Sequence, residues 1–134
     1  MKILDKVSQL LPSFIFALAL LLISSCANNE KKSEYPDPLQ AGWKGKSVCS
    51  VIEENEEIRV LKCVFPPQVG HEWHYHEPHV GYTLAGGTFR ISDSNGDREV
   101  DVPTGYTFKN DELTEHAVLN IGETTAEFLI IEYK

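Results

Sequence analysis

The chain is poor in positive charge. Lys and Arg number 12 against 20 Asp and Glu, a formal net charge of −8 at pH 7. No basic run or stripe is present, so the electrostatic footprint of a nucleic-acid binder is missing. Long apolar runs are scarce as well. The one unbroken run, residues 14–23, falls short of the about 20 residues that a bilayer-spanning helix requires. Nothing after residue 46 carries a helical period, which excludes a helical bundle. Cysteine is confined to Cys26, Cys49 and Cys63. Neither a nucleophile–base pair nor an acid/base pair of carboxylates is recognisable, so the residues alone do not name a reaction.

What the chain does have begins at its N-terminus. Lys2 and Lys6, diluted by Asp5, precede the apolar run, which ends in Ile23-Ser24-Ser25-Cys26. This is the build of a secretory signal peptide over residues 1–25. Its end resembles a bacterial lipobox, in which an aliphatic and two small residues precede a cysteine that is lipidated and becomes the new N-terminus. Cys26 is therefore the expected lipidation site, and acyl chains the expected anchor. Residues 26–46 are polar and charged with Pro36 and Pro38, and read as a flexible tether. Trp43 is where that tether is expected to dock. Residues 47–134 are left for one small domain with one core.

This domain reads as all-β. Residues 47–53 and 58–65 alternate in polarity and flank a polar break, the pattern of a hairpin. With the turn at Asn55-Glu56-Glu57, Cys49 opposes Cys63, Val51 opposes Leu61 and Glu53 opposes Arg59. A Cys49–Cys63 disulfide and a pair of small buried thiols are both compatible with that register. Further short strands are expected within residues 70–77, 80–84, 88–92, 99–102, 106–108, 116–120 and 126–133. Pro78, Gly86-Gly87, Asn95-Gly96, Pro103-Thr104-Gly105 and Ile121-Gly122 supply the turns, and residues 109–115 form a polar loop. Many short strands joined by such turns argue for a sandwich or barrel.

All five histidines fall in two places: four in residues 70–86, the fifth at His116. Residues two apart on a strand share a face, so His74 and His76 point the same way. Neutral imidazole is the commonest protein metal ligand. His79 follows the Pro78 turn, where a second strand can carry it back beside the first pair. Histidines in ordinary hydrogen-bond networks have the same local appearance.

Together these two regions resemble the paired motifs of the cupin superfamily. The family's first motif has a glycine, His-x-His, three or four residues, a glutamate, six residues and a glycine. Here Gly70, His74-Tyr75-His76 and Gly86 follow that order, and His79 stands in the glutamate's place, one residue nearer to His-x-His. The second motif has a glycine, Pro-x-Gly, a histidine and then an asparagine; Gly96, Pro103-Thr104-Gly105, His116 and Asn120 match it, with a long loop before His116. The resemblance implies a jelly-roll β-barrel of six to eight strands. It also implies a divalent transition metal (zinc, iron, manganese, nickel or copper) held by His74, His76 and His116, with His79 turned inward as fourth ligand. Gln68, Glu72 and Tyr82 are candidates for supporting positions around it.

The implied function is that of an exported, lipid-anchored metal-binding protein that acts on or binds a small organic molecule in its barrel. The alternatives are a non-catalytic module for a sugar or cell-envelope ligand and a structural protein with vestigial histidines. The expected location is the bacterial cell envelope, at the outer membrane, facing periplasm or cell surface. Expected partners are a small molecule, the membrane through the lipid anchor alone, and a second copy in a homodimer; nucleic acid is not among them.

Overall fold

The computed structural model describes residues 32–134. The expected signal peptide, residues 1–25, and the expected lipidation site Cys26 lie outside the described residues. The described chain has one short helix, α1 (Pro38–Ala41), and then β1 (Cys49–Glu54), β2 (Ile58–Phe65), β3 (Gly70–His76), β4 (His79–Ala85), β5 (Gly87–Asp93), β6 (Gly96–Val102), β7 (Thr107–Asn110), β8 (Thr114–Asn120) and β9 (Ala126–Tyr133). The strands form two antiparallel sheets, ordered β1-β2-β9-β4-β7 and β3-β8-β5-β6. The architecture is all-β, a jelly roll with nine strands, more than the six to eight expected. The polar loop expected over residues 109–115 is also shorter, because β7 runs to Asn110 and β8 starts at Thr114.

The first hairpin forms in the expected register at its open end, with Cys49 opposite Cys63 and Val51 opposite Leu61. Near the turn the register slips: Glu53 opposes Val60 and Glu54 opposes Arg59. A bulge between Val51 and Glu53 inserts the extra residue. Asn55 closes the turn, its Oδ1 accepting from the backbone N–H of Glu57 and Ile58 at 2.9 and 3.0 Å. A disulfide joins Cys49 to Cys63, whose Cα atoms are 4.0 Å apart.

Alternate residues of β2 and β9 build the core. Leu61, Cys63 and Phe65 point inward from β2, and Ala126, Phe128 and Ile130 from β9. Phe65, Phe89 and Phe128 meet edge to face with centroids 5.5–6.0 Å apart, the arrangement aromatic quadrupoles favour. Asn120, fully buried, secures the ends of several strands. Its amide donates to the carbonyls of Phe65 and Thr124, and its Oδ1 accepts from Gly122 N–H.

Residues 36–46, read as the second half of a flexible tether, are packed on the barrel. Pro38 is buried and Leu39 packs against the core. The carbonyl of Pro36 accepts from Tyr75 N–H and that of Gly42 from Glu72 N–H. Asp37 caps α1 through Leu39 N–H and forms an ion pair with Arg59 at 2.7 Å. Polar composition concealed this docking because the contacts run largely through backbone groups and apolar side chains, with the Asp37–Arg59 ion pair beside them. Trp43 is where the strap meets β3, its ring against Gly70.

Several glycines are required by close approach, Gly86 and Gly81 among them. At Gly86, which ends the first motif, a Cβ would lie 2.4 Å from the Val102 carbonyl oxygen. At Gly81 on β4 it would lie 2.0 Å from Cζ of Phe108, whose ring covers this strand. Gly81→Ala is expected to push Phe108 aside and lower stability by about 1–3 kcal/mol, read from chemical denaturation. A loss below about 0.5 kcal/mol would show that the ring moves freely.

Candidate metal centre

The register of β3 and β8 brings the two histidine regions together. His74 on β3 is the direct cross-strand partner of His116 on β8. With His76 on the same face, one ligand nitrogen from each of the three lies within 4.8 Å of the others. The rings pack edge to face, with centroids 4.8 Å apart for His74–His76 and 4.7 Å for His74–His116. His74 and His76 are buried, and His116 is half-buried.

Hydrogen bonds fix which nitrogen of His74 and of His76 faces inward. A carbonyl oxygen can only accept, so His74 Nδ1 donates to the Glu72 carbonyl at 2.6 Å. His76 Nδ1 donates to Glu132 Oε1, also at 2.6 Å. Both protons are thus committed outward, and both Nε2 atoms present lone pairs. These two Nε2 atoms are 3.0 Å apart. Two buried lone pairs at that distance repel unless a cation lies between them. Imidazole nitrogens bound about 2.1 Å from one metal, at a right angle, are also about 3.0 Å apart. The donor set therefore fits a metal ion. Burial pushes all three imidazoles below their ordinary pKa, aided by neighbouring imidazoles, His116 to about 4. They are neutral ligands at neutral pH, as coordination requires.

Glu132, which sequence reasoning passed over, holds His76 from the other sheet. It is 2% exposed, and Arg59 satisfies its second oxygen through Nε at 2.8 Å and a terminal nitrogen at 2.6 Å. Burial raises the Glu132 carboxyl and the Arg59 hydrogen bond opposes this. Arg59 reaches on to Asp37. A chain of groups therefore runs from the strap beside α1 to His76. Its signal was present in the alternation: Glu132 is in phase with Ala126, Phe128 and Ile130, and Arg59 with Leu61 and Cys63.

His71 was not singled out either. It stacks on His74 with centroids 3.7 Å apart and donates from Nε2 to the Pro38 carbonyl at 2.8 Å. His79 turns inward, 1% exposed, with its ring 5.0 Å from that of His76. Its Nδ1 donates to the Glu77 carbonyl and its Nε2 accepts from the Asn110 amide at 3.1 Å. It thus lines the same cavity, but the three-nitrogen group forms without it.

The supporting candidates fall elsewhere. Gln68 is exposed in a turn with φ of 62°. Tyr82 is exposed on the outer face of β4. Glu72 shares strand parity with His74 only on an unbroken strand, and β3 shifts register between His71 and His74. Its carboxylate faces out and accepts from Lys44 N–H; its backbone carbonyl is what touches His74.

The histidines stand at the wall of a cavity of about 530 Å³, lined otherwise mainly by Phe, Ile and Val side chains. No family model matches the chain, and no curated protein does. Solved structures do. A cupin domain from Bordetella pertussis Tohama I matches with a TM-score of 0.62 at 25% identity, over 77% of this chain and 99% of that one. The polyketide cyclase RemF from Streptomyces resistomycificus matches with a TM-score of 0.56 at 17% identity, over 75% of this chain and 70% of RemF. A cupin superfamily protein from Desulfitobacterium hafniense matches with a TM-score of 0.52 at 14% identity, over 78% and 94%. The barrel is the cupin-type jelly roll.

Glu132→Gln tests the support given to His76. An amide cannot accept from both His76 and Arg59, so one bond is lost. Zinc affinity, measured by competition with a chromophoric chelator, is expected to fall about 10–100-fold with the fold retained by circular dichroism. A change under about twofold would show that Glu132 does not position the ring.

Proposed function

We propose that this protein is an exported, lipid-anchored, metal-binding cupin that binds or acts on a small organic molecule in its barrel. The observation that carries the metal reading is the pair of outward-committed imidazoles with their Nε2 lone pairs 3.0 Å apart. His74, His76 and His116 would hold the metal. When bound, a divalent transition metal supplies a Lewis acid that polarises a ligand oxygen or activates water. Glu132 holds the His76 proton at Nδ1, His71 braces the His74 ring, and the phenylalanines give the cavity an apolar wall. His79, with Asn110 on its Nε2, stands beside the ligand set as a fixed wall of the site.

A second reading, a ligand-binding module without catalysis, is favoured by the carboxylate nearest the histidines. Glu132 is tied up by Arg59 and His76 and offers no free base. Anchoring at Cys26 and placement in the cell envelope rest on the lipobox resemblance.

Elemental analysis of the purified chain is expected to find about one transition-metal ion per molecule. Alanine at His74, His76 or His116 should remove most of it, and unchanged content in the triple variant would overturn the site. For the anchor, Cys26→Ser is expected to release the protein from the membrane fraction or block its processing. A membrane-bound, lipid-labelled product from that variant would rule out lipidation at Cys26.

A further inference from the structure

The barrel keeps a cavity of about 530 Å³ among its core residues. That volume lies in the range of pockets that hold drug-sized ligands, about 300–1,000 Å³. Its chemistry is uneven. Phe65, Phe89 and Phe128, already edge to face with one another, form one part of the wall, and Ile91, Val100 and Ile130 extend it. Another flat ring continues that packing pattern.

The polar side chains on the wall are mostly engaged with the protein. Arg98 forms an ion pair with Asp93. Asp101 accepts from the Thr88 hydroxyl at 2.7 Å, and the Asn110 amide donates to His79. A sugar, with a hydroxyl on nearly every carbon, would find few partners and lose its hydration, an unfavourable exchange of about 1–3 kcal/mol for each hydroxyl left unpaired. Apart from the half-exposed Tyr106 hydroxyl and the outer nitrogens of Arg98, what remains free is the cluster of His74, His76 and His116 nitrogens. Three neutral imidazoles leave the charge of a divalent ion uncompensated. The nearest carboxylate, Glu132, shares Arg59 with Asp37 and meets only the outward side of His76, so it offsets that charge in part and supplies no ligand atom.

We propose, building on the metal reading above, that the cavity takes an aromatic molecule with an otherwise apolar body and one anionic oxygen group: a phenolate, enolate or carboxylate. The rings lie against the phenylalanine wall and the oxygen turns toward the three histidines. Apolar walls select the body, and the uncompensated charge selects the head.

The zinc-loaded full chain is titrated calorimetrically with 2-naphthoate, which has both features, with 2-naphthalenemethanol, which lacks the charge, and with glucuronate, which lacks the apolar body. The expected result is that 2-naphthoate binds at least tenfold more tightly than either of the others. With zinc stripped by a chelator, which leaves every side chain of the wall in place, 2-naphthalenemethanol binding should stay within about threefold and the preference for the carboxylate should vanish. Glucuronate binding as tightly as 2-naphthoate, or no binding of either naphthyl compound, would overturn the proposal. Zinc is counted in the same samples. Zinc bound without any naphthyl preference defeats the ligand class and leaves the metal site standing. A chain that takes up no zinc defeats the metal reading and, with it, the anionic head.

Discussion

One hydrogen bond ties the two sheets together at the site, from His76 on β3 to Glu132 on β9. It is also the contact that fixes which nitrogen of His76 faces the other two histidines. A buried carboxylate is tolerated only when its charge is paired and both oxygens are bonded. Arg59, its cross-strand neighbour on β2, meets one oxygen and His76 the other. Removing any one of the three leaves an unsatisfied polar group in the barrel. The docking of residues 36–46 follows from the same constraint, because Asp37 covers the remaining side of Arg59.

An unfilled interior and a stable barrel are in tension. Side chains around a void lose dispersion contacts on one side. The fold offsets this with the Cys49–Cys63 disulfide, which closes a short loop and stabilises by roughly 3 kcal/mol in the loop-entropy account. The Phe65–Phe89–Phe128 cluster and the Asn120 hydrogen bonds at the strand ends add to it. The structural elements are thus gathered around the cavity.

Much of this was legible in the residues. Alternation and Gly/Pro/Asn turns located the strands to within a few positions, and the Cys49–Cys63 register follows from matching the two faces of one hairpin. The juxtaposition of His74 with His116 came from resemblance to paired motifs and is realised by β3 pairing with β8. The misses have physical reasons. Two bulges, in β1 and β3, shift parity by one residue, which moved Glu53 off Arg59 and turned Glu72 outward. The strap at residues 36–46 is polar in composition yet docks through backbone carbonyls that composition does not register.

By itself the sequence determined the strand pattern and the shared face of His74 and His76. These depend on neighbours one, two or a few residues away, where the two-residue period of a strand leaves little choice. Only the tertiary structure decided the partners of those histidines. Glu132 reaches His76 across a separation of 56 residues, Pro38 reaches His71 across 33, and Asn110 reaches His79 across 31. Such contacts are set by how the two sheets close on each other, and no local period encodes that closure.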